Sequence, residues 1–187
     1  ALPKSASSAA QKNGSTEIML VMDESGSMKA NDPERSRIRA AQLFIGLLPG
    51  TARVGLVRFS TDADTVLPLI SLDDPQNRDR LRQAIEGLGQ GGQWTDMARG
   101  VDLALYNMNS GPGPERYVLL FTDGEVDLAE GEAAEQESRR RLRSETIAQC
   151  QRMNVRLYTL AFTSKADQSL LRSLAETTGG AYYQGND

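Results

Sequence analysis

The sequence predicts an α/β domain: a doubly wound, mostly parallel sheet of six strands in the order 3-2-1-4-5-6, with helices on both faces and one antiparallel edge strand. Two observations carry this. Short apolar runs alternate with amphipathic stretches along most of the chain, the pattern of strands buried between helical layers. The first apolar run, residues 18–22, leads straight into Asp23-Glu24-Ser25-Gly26-Ser27, a tight polar turn. A buried strand delivers such a turn to the carboxyl edge of a sheet, where open α/β folds bind ligands.

Residues 1–16 are small and polar and read as a flexible leader or linker, ahead of a domain spanning 17–187. The first strand covers residues 17–22. Asp32 then offers an N-cap with Pro33 at the first helical position, where its missing N–H costs nothing. Ile38, Ala41, Phe44, Ile45 and Leu48 form that helix's apolar face, and Pro49-Gly50 ends it. Residues 54–59 make a second strand. Residues 65–70 read as a third, confined to an edge because Pro68 cannot donate to a ladder. The short turn over 60–63 makes this pair an antiparallel hairpin.

Asp74-Pro75 repeats the cap-then-proline signal before a helix faced by Leu81, Ala84, Ile85 and Leu88. A glycine-rich loop, residues 89–96, opens a helix faced by Met97, Val101, Ala104, Leu105 and Met108. Residues 110–114 read as a loop, and 117–121 as a buried strand ending in Thr122-Asp123-Gly124-Glu125. Residues 132–153 read as one long charged helix, its acidic start and basic middle suiting the macrodipole and i,i+4 pairing. A strand follows over 155–162. Ser164-x-x-Asp167 resembles a capping box before a last helix carrying Leu170, Leu171 and Leu174. Gly179-Gly180 stops it, and 181–184 add a short final strand.

Composition excludes several function classes. With 187 residues, 39% hydrophobic and 25% charged, the chain suits one globular domain. A net charge of −4 and the lack of a basic stripe argue against nucleic acid as a partner. There is no histidine, which removes His-based acid–base catalysis and His-ligated metals. The single Cys150 permits no internal disulfide and reads as a small core residue of an apolar helical stripe. No stretch approaches the length needed to span a bilayer, so no membrane insertion is expected of this segment. The compartment stays open, with a periplasmic or cell-surface setting favoured over the cytoplasm, and the oligomeric state is undefined.

Three segments converge if the sheet is doubly wound, because the first and fourth strands are then neighbours at the switch point. Asp23, Ser25 and Ser27 follow the first strand, Asp123 ends the fourth, and Thr95 lies in the glycine-rich loop. All five donate oxygen, which suits Mg²⁺ first and Mn²⁺ or Ca²⁺ as substitutes, and suits zinc or copper poorly. Three are neutral hydroxyls. A divalent cation held by so few anions stays electrophilic and has room for an acidic side chain from elsewhere.

This pattern resembles the von Willebrand factor type A domain, the fold shared with integrin I domains, over about residues 17–184 and with a bacterial flavour. The resemblance implies that Asp23, Ser25, Ser27, Thr95 and Asp123 form a metal-ion-dependent adhesion site (MIDAS). It further implies a protein ligand whose Glu or Asp completes the cation's coordination.

Neighbouring residues carry alternative readings. Trp94 can sit on the ligand rim or pack down to fix the loop. Met28 and Glu125 are further candidates for partner contact, though Met28 also suits packing. Glu24 braces the turn or faces solvent, and Asp96 suits a cap for the helix that follows Thr95 or a group orienting the metal shell, the cap being favoured. The acidic run from Glu125 to Glu132 does not match an EF-hand, since Leu128 and Ala134 stand where that loop needs Gly and Glu.

The leading expectation is a metal-dependent protein-binding module that is not an enzyme. The alternative is an accessory domain assisting an AAA+ ATPase of the chelatase or metal-insertion kind. The chain has no G-x-x-x-x-G-K-[ST], so any ATPase would be supplied elsewhere. Phosphoryl transfer on Asp23 is disfavoured because Ser25 stands where a D-x-D partner belongs.

Overall fold

A computed structural model describes residues 16–108, 114–163 and 166–185 of the chain. Six strands, β1 (Thr16–Asp23), β2 (Arg53–Phe59), β3 (Ala63–Ser71), β4 (Glu115–Thr122), β5 (Val155–Ala161) and β6 (Tyr182–Gln184), form one sheet in the order β3-β2-β1-β4-β5-β6. Every neighbouring pair is parallel except β2 with β3. The expected architecture is therefore the observed one. β1 is central, with Leu20 opposite Leu56 on one side and Leu119 on the other.

The period-two alternation of β1 divides the core. Met19 and Val21 face a cluster with Val101, Leu120, Leu157, Leu170 and Leu174. Ile18, Leu20 and Met22 face the opposite cluster, with Ile38, Ile45, Leu81 and Ile85. Helices α2 (Ser36–Leu47) and α3 (Pro75–Glu86) thus cover the second face. Helices α4 (Met97–Tyr106), α6 (Ile147–Met153) and α7 (Gln168–Thr177) supply residues to the first, while α5 (Glu132–Arg141) buries only Ser138. Cys150 is wholly buried there, and burial pushes its thiol up to about 12. No helix among the described residues is long and apolar enough to cross a membrane.

Several elements differ from expectation. Helix α2 starts at Ser36, not at Pro33, because Arg35 adopts the left-handed region (φ 53°) and interrupts the chain. A separate single turn, α1 (Met28–Asn31), precedes it. Asp32 still serves α2, from upstream: its carboxylate accepts from the backbone N–H of Ser36 at 2.5 Å and of Arg37 at 3.2 Å. The long charged helix is two α segments joined by a π turn, Leu142–Thr146, whose end residues Leu142 and Thr146 are both buried. Edge strand β3 is longer than 65–70, and Pro68 lies where its register against β2 shifts.

Asp74 and Asp167 cap α3 and α7 by accepting from the N–H groups of Gln76 and Leu170, each at 2.9 Å. Asp167 is thus the N-cap itself, where a capping box would have given that place to Ser164. Ser164, residues 110–113 of the expected loop and residues 1–15 of the leader lie outside the described residues. Thr16, assigned to the leader, instead begins β1.

Candidate metal centre

Strands β1 and β4 run side by side and in parallel, so their last residues bring Asp23 and Thr122-Asp123 to one edge of the sheet. Asp23 has no exposed surface. Its Oδ1 accepts from the Ser25 N–H at 2.8 Å and its Oδ2 from the Thr122 hydroxyl at 2.6 Å. Thr122 Oγ1 accepts in turn from the Gly124 N–H at 2.9 Å. Ser25 Oγ and Ser27 Oγ are 3.0 Å apart. Asp123 is equally buried; its Oδ2 accepts from the side-chain amide of Asn31 at 3.0 Å, and its Oδ1 from the Glu125 N–H at 3.4 Å. Gly124 turns the chain away with φ 81°, and a Cβ there would sit 2.5 Å from that of Ala166. Only glycine satisfies both conditions.

The glycine-rich loop is stitched to this edge through its backbone. The Gly92 N–H donates to the Glu24 carbonyl at 3.0 Å, and a Cβ on Gly92 would collide with Ser60. Thr95 is buried, and it exchanges backbone hydrogen bonds with Asp127 (2.7 and 3.3 Å), just beyond Asp123. Glu24 braces the turn: it accepts from the Gly89 N–H and pairs with Arg58 at 3.6 Å. Asp96 caps α4 by accepting from the Arg99 N–H at 3.2 Å.

Beneath the edge lies Arg37, the largest fully buried side chain. Its guanidinium donates to the Asp23 carbonyl (3.1 Å), to Asp32 Oδ2 (2.9 Å) and to the Gly89 carbonyl (2.6 Å). One rigid fork thus ties together the end of β1, the turn before α2 and the start of the glycine-rich loop.

The Arg37 guanidinium beneath this edge is ion-paired with Asp32. Burial, followed by the charge of Asp123, pushes the Asp23 carboxyl up to about 6, against the opposing hydrogen bonds from Ser25 and Thr122. Among the described residues no Lys or Arg forms an ion pair with the carboxylate of Asp23 or Asp123. Two buried carboxylates beside buried Ser25 and Thr95 and half-buried Ser27 are a donor set that fits a hard divalent cation. Because only two of the five candidates are acidic, no cluster of three acidic or soft ligands occurs among the described residues.

Asp23, Ser25, Ser27 and Asp123 therefore meet at one edge, and Thr95 reaches it through a loop fixed to both flanking turns. Met28 has no exposed surface, which suits its packing reading rather than partner contact. Trp94 is half-buried and Glu125 is exposed. Sequence reasoning assigned no role to Asn31, Arg37 or the Thr122 hydroxyl. Only Thr122 carried a signal, a polar residue closing an otherwise apolar strand.

Among known proteins, the von Willebrand factor type A domain model matches residues 17–187. A protein of Borreliella burgdorferi is 24% identical over 197 residues, which cover 91% of this chain and 54% of that protein, so the chain spans about half of that relative. A von Willebrand factor type A structure from Catenulispora acidiphila has a TM-score of 0.74 at 22% identity, covering 93% of this chain and 39% of that one. Proximal thread matrix protein 1 from the mussel byssus, solved with a zinc-occupied MIDAS motif, has a TM-score of 0.62 at 17% identity, covering 93% of this chain and 44% of that one. At these identities the two structures share the fold with this chain. With the family model spanning nearly its whole length, the chain belongs to the von Willebrand factor type A domain family.

Proposed function

We propose that this domain is a metal-dependent protein-binding module and not an enzyme. Asp23, Ser25, Ser27, Thr95 and Asp123 hold a divalent cation, Mg²⁺ by preference, and the cation accepts a Glu or Asp carboxylate from a protein partner. The observation that carries this reading is the pairing of two buried carboxylates, Asp23 and Asp123, with hydroxyl neighbours and, among the described residues, no cationic side chain in an ion pair with either. Buried charge without a counter-charge is costly, and a cation relieves that cost. Two carboxylates formally balance a divalent ion while its other ligands are neutral hydroxyls, so the ion stays electrophilic and accepts an incoming carboxylate as a further oxygen ligand. The mussel relative's zinc-occupied motif supports a metal at this place in the fold.

Neither the relatives nor the site favours the ATPase-assisting alternative. Titration calorimetry on protein stripped of metal tests the proposal: one Mn²⁺ or Mg²⁺ site is expected, and Asp23→Ala should abolish it. Equal uptake by that variant would place the ion elsewhere.

A further inference from the structure

We infer that Asn31 is a positioning residue for the cation site, orienting the Asp123 carboxylate and tying it to the turn that carries Ser25 and Ser27. The inference rests on the metal reading above. A carboxylate only accepts hydrogen bonds, so the amide nitrogen of Asn31 is what faces Asp123 Oδ2, at 3.0 Å. The contact joins residues 92 positions apart. Among the described residues the other polar restraint on this carboxylate is the Glu125 N–H, at a long 3.4 Å. The terminal torsion of an Asp side chain is broad and weakly held by sterics. The Asn31 amide is thus the stronger restraint on the plane of the Asp123 carboxylate.

Asn31 is itself held firmly. It ends the single turn α1, and its N–H donates to the Ser27 carbonyl at 3.0 Å. Met28, at the other end of that turn, is fully buried, and its N–H donates to the Ser25 carbonyl at 3.2 Å. From the glycine-rich loop, the Gln90 amide donates to the Met28 carbonyl (3.3 Å) and to the Asp32 carbonyl (2.9 Å), clasping the turn from outside. One short turn therefore places the Ser27 backbone and the Asp123 carboxylate in a common frame. A donor in that frame sets the direction from which Asp123 meets a cation or a water bound to it. Groups that orient a ligand in this way typically contribute about 10–100-fold to metal affinity.

The test is Mn²⁺ binding to the whole domain, followed by the electron paramagnetic resonance signal of the free ion and by water-proton relaxation of the bound ion. Asn31→Ala and Asn31→Leu, the second with the same number of side-chain heavy atoms, should keep the wild-type circular dichroism and weaken Mn²⁺ binding about tenfold or more. In an Asp123→Ala background, Asn31→Ala should weaken it no further, because the group it orients is gone. Wild-type Mn²⁺ affinity in both folded Asn31 variants would overturn the inference, as would an undiminished loss in the Asp123→Ala background. A wild-type domain that takes up no Mn²⁺ would overturn the metal reading itself, a distinguishable result.

Discussion

Thr122 donates its hydroxyl to Asp23 Oδ2 at 2.6 Å, joining the ends of two neighbouring parallel strands across 99 positions of sequence. The same oxygen accepts from the Gly124 N–H, so one side chain serves the β1 carboxylate and the turn that presents Asp123. Thr122→Val keeps the shape and removes the hydroxyl, orphaning a buried carboxylate oxygen and a buried N–H. The expected loss is about 2–3 kcal/mol in urea unfolding at pH 7.5, and Thr122→Ser should recover most of it. A Val variant as stable as wild type would show that the bond contributes nothing.

The Asp23 carboxyl predicts an unusual pH dependence for metal-free protein. Its folded value, about 6, lies above the ordinary 3.8. Between those values the folded chain holds a proton that the unfolded chain has released, so stability falls as pH rises through the window. Metal-stripped protein should therefore lose stability on going from pH 4 to pH 6.5, relative to Asp23→Asn, whose side chain does not titrate. With Mn²⁺ present the sign reverses, because the ion needs the ionised carboxylate. Urea midpoints for both proteins across this range decide the matter, and parallel curves would remove Asp23 as the cause.

Arg37 carries the third expectation. Arg37→Ala strips a fully buried guanidinium from the Asp23 carbonyl, the Asp32 carboxylate and the Gly89 carbonyl. Breaking one partner of a buried pair costs about 3–5 kcal/mol. The backbone N–H groups of Ser36 and Arg37 still serve Asp32, which places the loss at the lower end of that range. Arg172→Ala, which removes a half-exposed pair with Glu176, should change stability by less than about 1 kcal/mol. Comparable losses in the two variants would refute the clamp.

What could be read before the structure was what local chemistry dictates. Alternating apolar runs and a hairpin with Pro68 on its edge strand pointed to a mostly parallel sheet with one antiparallel edge, and the strand order followed from taking that sheet as doubly wound. The oxygen-bearing turns at Asp23 and Asp123 marked its active edge because a strand end leaves little choice of where its next residue points. Features that depend on distant partners stayed hidden. Arg37 looks like any helical arginine until three segments close around it, and Asn31 looks like a loop residue until Asp123 arrives from β4. Asp32-Pro33 carried the usual start signal, but the left-handed Arg35 moved the helix start to Ser36. The π turn over Leu142–Thr146 left no mark in the charge pattern; its buried residues are Leu142 and Thr146, the latter bonded to Asp102 at 3.2 Å. Met28, a candidate for either packing or partner contact, is fully buried at the start of α1.

Partner binding provides the last expectation. If the cation accepts a partner carboxylate, binding requires the ion, the Thr95 hydroxyl and an acidic residue on the partner. The backbone of Thr95 is anchored to Asp127 independently of its side chain, so Thr95→Ala should leave the fold intact. Affinity for an acidic protein ligand should drop by about 2–5 kcal/mol, or roughly thirty-fold to several-thousand-fold, as a charge-assisted contact is lost from a desolvated site. Arg140→Ala, on an exposed helical face, should have little effect. Chelation and Thr95→Ala should not compound, since both remove the same bridge. Binding that survives chelation undiminished would assign recognition to another face of the domain.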